Sequence, residues 1–335
     1  MGEMNAGKYV VVTGAAGFVG RAAVAKLRGH GYGVRAIVRR KSTAPKAWGE
    51  DVGIEVSEID LAGVDGLGQL CGVLNGAIAV VHCAGSLSGA AGAHERDTLT
   101  ATRVLLDGIA QAGVAHLVHL SSLAVYQVRN LAAGACLDES CALESRPERR
   151  DAYCQAKLAQ EDLVRDQAMK QGIALTVLRP GAIYGDGQVF NAHIGVGFGP
   201  FLIQLGRRGQ VPIAYIEHCA KAIACAVARP DEAGNCRVIN VLDDGLPERG
   251  AFVRALQKSG WPRWVLPVSP TIWSTLIALL PETEKLPGLL RSDVFAARLK
   301  PLRYSNQQLH EQLGWTSTYG FEDAMARAVG GAVDA

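Results

Sequence analysis

Tyr153 and Lys157 stand four residues apart in a stretch, Ala152 to Lys170, whose composition predicts a long helix stopped by Gly172. That spacing puts both side chains on one helix face. A phenol with an ordinary pKa of ~10 is a poor base at neutral pH. A neighbouring ammonium favours the phenolate, and a lowering of ~2–3 units corresponds to ~3–4 kcal/mol. A tyrosine so tuned exchanges a proton with an oxygen while the attached carbon is oxidised or reduced. The second element is Ser121-Ser122, directly after the apolar run Val114 to Leu120. A hydroxyl at the carboxyl end of a buried strand can hydrogen-bond a reacting oxygen. A helix cap or turn is the other common use of such a serine.

These groups need an element that delivers a redox partner. Tyr9 to Thr13 is a short apolar run, read as a strand buried on both faces. It leads into Thr13-Gly14-Ala15-Ala16-Gly17-Phe18-Val19-Gly20 and then a helical pattern from Phe18 to Leu27. Glycines allow a tight turn and close approach of backbone to a pyrophosphate, and the helix offers free N–H groups and its positive dipole end. Strand, glycine turn and helix in this order are the context such a motif requires. Gly14, Ala16, Gly17, Phe18 and Val19 are therefore expected at a dinucleotide, whose oxidised nicotinamide would further favour the Tyr153 phenolate and whose ribose Lys157 would hold.

After the second strand, Val34 to Val38, an NAD-binding chain would carry a carboxylate, whereas this one reads Arg39-Arg40-Lys41. An arginine there suits a 2′-phosphate. A charge-assisted hydrogen bond is worth ~1.5–3 kcal/mol, enough to select NADP(H) over NAD(H). A solvated basic loop is the plainer alternative. Asp60 and Leu61, after a further strand, are placed at the adenine.

Strand patterns at 54–59, 77–82, 114–120, 175–178 and 237–241 alternate with helical ones at 99–112 and 152–170. This predicts an α/β fold, a Rossmann doubly wound parallel sheet with a smaller C-terminal substrate-binding lobe. Residues 1–180, with 215–245 returning, are assigned to the dinucleotide domain, and 181–214 with 246–335 to the lobe. The glycine-rich, apolar stretch 185–209 reads as a substrate loop or lid, or else a connector.

Composition bounds the rest. The 335 residues are 49% hydrophobic with net charge +2, so nucleic-acid binding has no electrostatic support. The eight cysteines form no CxxC pair and no metal-ligand spacing, and read as small buried hydrophobes in a reducing compartment. Met1 to Lys8 is polar, unlike a signal peptide, and Ile272 to Leu280 is too short to span a bilayer. A cytoplasmic location is expected.

Taken together, TGAAGFVG (13–20), VVHCAG (80–85), LSSLAVY (120–126), YCQAK (153–157) and LRPGAIYG (178–185) resemble the extended short-chain dehydrogenase/reductase family, the NAD(P)-dependent epimerase/dehydratase-like enzymes. The resemblance is strong over 9–185 and looser to 330. It implies that Ser122 rather than Ser121 is catalytic, that Cys83, Ala84 and Gly85 line the cofactor, and that Pro180 to Ile183 pass under the nicotinamide. VRAIVRR (34–40) resembles the NADP-using reductases of the family, such as dihydroflavonol reductases. The chain departs from the sugar-nucleotide dehydratases, which carry an Asp-Glu pair where Leu123 and Ala124 stand, and has no arginine before residue 215 to grip a diphosphate, although Arg207 and Arg208 lie near. Thr98 replaces the family's usual asparagine.

The expected activity is NADP(H)-dependent interconversion of a carbonyl and an alcohol by Ser122, Tyr153 and Lys157, with a small-molecule substrate bearing an apolar part and no metal. A nucleotide-sugar epimerase or keto-sugar-nucleotide reductase is the second reading, and a non-catalytic NADP sensor the third. Family habit implies a homodimer through the helices at 99–112 and 152–170. His193 and His218 are read as structural or substrate-orienting, Glu161 as support for Lys157 or its helix, and Trp264, Trp273 and the run to Leu280 as a substrate wall, core or dimer helix.

Overall fold

Val10, Val11 and Val12 are fully buried in β1 (Tyr9–Thr13), and alternate residues serve different cores, Val10 and Val12 one side of the sheet and Val11 the other. Burying a valine side chain contributes ~1.5–3 kcal/mol, which explains a strand with no polar face. In the computed structural model, which describes residues 7–85, 95–281, 286 and 288–330, β1 is followed by α1 (Phe18–Gly29), β2 (Gly33–Val38), β3 (Ile54–Glu58), α2 (Gly66–Leu74), β4 (Ala77–His82), α3 (Ala101–Ala112) and β5 (His116–Leu120). Then come β6 (Cys136–Leu137), α4 (Ala152–Gln171), β7 (Ala174–Pro180), β8 (Ala182–Tyr184), β9 (Gly195–Phe198), β10 (Phe201–Leu205), β11 (Ile213–Tyr215), α5 (Ile216–Ala228) and β12 (Cys236–Val241). The chain closes with α6 (Arg249–Gln257), β13 (Trp264–Val268), α7 (Pro270–Ala278), α8 (Ser292–Leu299), β14 (Arg303–Tyr304), α9 (Gln307–Leu313) and α10 (Phe321–Gly330). Of the polar N-terminal stretch Met1 to Lys8, residues 1–6 lie outside the described residues.

Seven parallel strands form the main sheet in the order β3-β2-β1-β4-β5-β7-β12. The order reverses between β1 and β4, which opens a crevice at the strands' carboxyl ends. This is the Rossmann-type α/β sheet expected.

α4 crosses this crevice. Asp151 caps it, accepting from the Cys154 amide at 2.8 Å, and Gly172 ends it in the left-handed region at φ 67°. Its buried face includes Lys157, Gln160 and Glu161 beside Cys154, Val164 and Ala168. A helix that buries charge in this way holds its polar groups at fixed positions.

Three expectations are corrected. The stretch 185–209 is not a loop throughout: β9 and β10 form an antiparallel hairpin, and β10 also pairs in parallel with β13. Glycine there permits strand approach, since a Cβ on Gly195 (φ 139°) would lie 1.9 Å from the Ile203 carbonyl oxygen. The segment around α9, placed in the substrate lobe, packs on the main sheet: Leu309, Leu313 and Trp315 are fully buried with α1 and α5. The cysteines are not uniformly buried, for Cys136 and Cys236 are exposed.

Candidate active site

The turn after β1 brings two strand ends into contact. Gly14 has φ 63°, and a Cβ there would sit 2.8 Å from the Ala84 amide nitrogen. Only glycine fits without moving the segment after β4. The N-cap of α1 is Gly17, with no side-chain cap, so first-turn N–H groups remain available for a ligand.

Two connected cavities follow. One is lined by Gly14, Ala16, Gly17, Arg39, Asp60, Leu61, Cys83, Ala84 and Gly85. The other, about 280 Å³, is lined by Phe18, Val19, Ser122, Tyr153, Lys157, Pro180 and Ile183, and shares Gly14, Gly17, Cys83 and Gly85 with the first. Every residue expected at the cofactor or the reaction therefore lines one cavity or the other. The glycine approach and the uncapped helix fit a dinucleotide pyrophosphate.

At the far end of the first cavity, Arg39 is exposed and its Nη1 donates to Asp97 at 2.8 Å. Asp97 also takes a bond from Arg96 at 2.7 Å, and Arg96 in turn bonds Asp60. Asp60 further accepts from the Ala62 amide at 3.2 Å. Arg96 and Asp97 carried no signal in the sequence, because the contact with Arg39 spans 58 residues.

At the other end, the two serines have separate tasks. Ser121 donates to Glu161 at 2.5 Å, and Glu161 is locked by Arg179, whose Nε lies 3.1 Å away. Ser122 accepts from the Ala124 amide at 3.1 Å, and its hydroxyl pulls the pKa of the Tyr153 phenol down.

Lys157 is buried, with Nζ donating to the Leu120 carbonyl at 2.8 Å and to Gln160 Oε1 at 3.0 Å. Burial pushes its pKa down to about 8, against opposing pulls from Cys83 and Glu161. A Cβ on Gly85 would lie 3.4 Å from Nζ, so the ammonium borders the cofactor crevice. Gln160, fully buried, is a residue the sequence reading missed although it shares the helix: its Nε2 donates to the Ala84 carbonyl at 3.1 Å and to Thr102 at 2.9 Å. His82, 3.1 Å from the same Nε2, is driven to about 3 by burial and then by Lys157, and is neutral. Burial holds the Cys83 thiol up at about 12, so it contributes shape rather than a nucleophile.

The Tyr153 expectation needs correction. Its phenol is raised, not lowered, chiefly by burial; the Ser122 hydroxyl and the Arg298 charge pull the other way. Lys157 spends its donors on Leu120 and Gln160, and is not among the leading influences on the phenol.

Arg298, from α8, lines the second cavity and donates from Nη2 to Asp151 at 3.3 Å. His193 lines it too, and its Nδ1 lies 3.0 Å from the Arg298 carbonyl oxygen. His218 does not. It is fully buried, bonded through Nδ1 to Asp243 at 2.9 Å, while Nε2 accepts the Thr318 and Tyr319 amides, and so serves the fold. Trp264 and Trp273 are not in the wall of this cavity either, and Arg207 and Arg208 are exposed outside it.

A Rossmann sheet with a dinucleotide crevice leading to a hydroxyl-lined pocket defines a nucleotide-dependent oxidoreductase class. Residues 10–241 match the model of the NAD dependent epimerase/dehydratase family. The chain belongs to that family, and is an NAD(P)-dependent enzyme of the extended short-chain dehydrogenase/reductase type. It is 29% identical over 188 residues to cinnamoyl-CoA reductase 2 of Arabidopsis thaliana, a match covering 53% of this chain and 55% of that relative, so it spans about half the relative's length. With cinnamoyl-CoA reductase 1 of Petunia hybrida the identity is 24% over 91% of this chain and 86% of the other. The fold is that of the Thermus thermophilus UDP-glucose 4-epimerase complex with NAD, at TM-score 0.71 and 20% identity over 98% of this chain and 99% of that one. Among the described residues no helix is long and apolar enough to cross a membrane.

Proposed function

We propose that the chain is an NADP(H)-dependent reductase that interconverts a carbonyl and an alcohol on a substrate with an apolar body. The observation that carries this reading is that the Ser122 and Tyr153 hydroxyl side chains line the second cavity together beside a buried Lys157. Leu123, Val128, Leu137 and Ala297 supply apolar wall. The likeness to cinnamoyl-CoA reductases supports a reductase over an epimerase.

When bound, the dinucleotide supplies or accepts hydride. Gly14, Gly17 and the first turn of α1 would hold its phosphates, Arg39 its 2′-phosphate, Asp60 and Leu61 its adenine end, and Pro180 to Ile183 its nicotinamide side. Ser122 donates a hydrogen bond to the substrate oxygen and fixes it against Tyr153. Tyr153, held protonated by burial, gives its proton to that oxygen in the reductive direction and recovers one from solvent afterwards. Lys157, tethered by Leu120 and Gln160, would position the ribose. Arg298 is the cation that meets an acidic group on the substrate, and it also favours the phenolate. A keto-sugar nucleotide is the second reading, supported by Arg298 as a diphosphate partner. The enzyme works in the cytoplasm, as a homodimer through α3 and α4.

The test is binding of NADPH and NADH, followed by NADPH consumption against aldehydes, ketones, acyl thioesters and keto-sugar nucleotides. Consumption with an apolar carbonyl compound supports the reading; isomerised nucleotide sugar without net consumption overturns it in favour of an epimerase, and tight binding with neither leaves a sensor.

A further inference from the structure

β9, β10, β13 and α7 carry an apolar surface that the proposed reaction does not use. In this small sheet Leu202 and Val265 face a buried cluster. The opposite face aligns Phe198, Phe201 and Trp264 in one row across the three strands, with Leu266 on the same face two residues on. Phe198 and Phe201 stack at 5.4 Å, yet all four of these side chains are exposed. α7 joins this side through Trp273, which packs with Val196 and Ile203, the next row of that face, against Leu205. Its outer row is Ile272, Leu276 and Leu279, spaced for one helix face. These are 66%, 44% and 79% exposed, and α7 has no buried residue. A surface helix normally turns charge outward; residues 264–281 contain none. An exposed apolar surface of this kind marks an interaction site.

The charges at its margin indicate the partner. The stretches that carry these elements, 195–208 and 261–281, hold three charged residues, Arg207, Arg208 and Arg263; Glu282, Glu284 and Lys285 follow directly in the sequence, and the six charges together are net positive. Arg263 lies over the Trp264 ring at 5.7 Å. Arg207 and Arg208 are exposed on the turn after Gly206, whose amide donates to Val268 at 3.1 Å and which abuts Pro270 at the start of α7. On the far side of α7, Glu148 and Asp293 are offset by Arg149 and Arg291. Pairing of two copies through this face would juxtapose the same patch on each, bringing together a like net positive charge from both. An apolar centre with an aromatic residue at its edge and a cationic margin instead matches a headgroup–acyl boundary bearing negative charge.

We propose that this face docks the protein on an anionic lipid surface, with the Ile272, Leu276, Leu279 row and Trp264 entering the boundary and Arg207, Arg208 and Arg263 meeting lipid phosphates. Docking is peripheral, through side chains that enter the boundary without crossing it.

Flotation of the full chain with phosphatidylcholine vesicles, with and without phosphatidylglycerol, tests this. Binding is expected to the phosphatidylglycerol vesicles, to weaken at high salt, to be lost in Leu276→Glu/Leu279→Glu, and to fall roughly 100-fold when the three arginines become glutamine. These positions are exposed and outside the active site, so NADPH binding by each variant is the check that it has folded. No vesicle binding by the native chain overturns the proposal. If light scattering then shows an oligomer that Leu276→Glu/Leu279→Glu dissociates, the face is an interface between copies; if it shows no change, the face is neither.

Discussion

Arg298 of α8 donates to Asp151, the residue that caps the helix carrying Tyr153 and Lys157. One ion pair, at 3.3 Å, thus ties the C-terminal part of the chain to the start of the catalytic helix. It also places a positive charge that favours ionisation of Tyr153.

Removing that charge has a readable sign. Arg298→Leu raises the Tyr153 pKa, because a cation that stabilised the phenolate is lost. The rising limb of the alcohol-oxidation rate, which follows ionisation of Tyr153, moves to higher pH. An unchanged limb, measured from initial rates across pH, would mean Arg298 does not reach the reacting phenol.

Lys157 predicts a pH-dependent stability. Its folded pKa of about 8 lies below the ordinary 10.5, so between those values the unfolded chain binds more protons and the stability it contributes rises with pH. Below pH 8 the buried ammonium costs the fold up to ~3 kcal/mol. Lys157→Met removes that cost but leaves the Leu120 carbonyl and Gln160 Oε1 unpaired, at ~1–3 kcal/mol each. Urea unfolding of both proteins should show the native chain gaining on the variant from pH 8 to 10.5; parallel profiles would refute the shift.

Arg39 and Asp97 make opposite predictions for cofactor choice. Arg39→Ala weakens NADPH binding by roughly 10- to 150-fold while sparing NADH. Asp97→Asn frees Arg39 from its 2.8 Å bond and strengthens NADPH binding. Fluorescence titrations with both nucleotides decide, and equal losses for NADPH and NADH in Arg39→Ala would remove it from the 2′-phosphate.

Gly14→Ala tests the crevice. The new Cβ would lie 2.8 Å from the Ala84 amide, in a left-handed backbone, so the segment after β4 must move. Strain of ~1–3 kcal/mol is expected, with nucleotide binding lost before the fold. Native-like binding accompanied by a lowered melting temperature would restrict Gly14 to stability.

What the sequence revealed depended on distance along the chain. β1, its glycine turn and α1 are contiguous, and Tyr153 and Lys157 share one helix, so their relations follow from local geometry. Arg298 lies 147 residues from Asp151, and no periodicity links them. Gly195 and Gly197 suggested looseness because composition does not show that a neighbouring strand approaches the backbone closely. Trp264 and α7 suggested a core or a wall because apolar composition ordinarily means burial. The raised pKa of Tyr153 was also hidden: spacing placed a lysine on its face of the helix, but only three-dimensional packing shows that lysine donating to Leu120 and Gln160 instead.

The most direct measurement is NADPH oxidation by the native chain and Tyr153→Phe against the carbonyl panel, with nucleotide binding measured in parallel. The account predicts turnover of at least one apolar carbonyl compound by the native chain, and a loss of ~10²–10⁴-fold in kcat in the variant with NADPH affinity retained. Turnover by Tyr153→Phe at the native rate would contradict it.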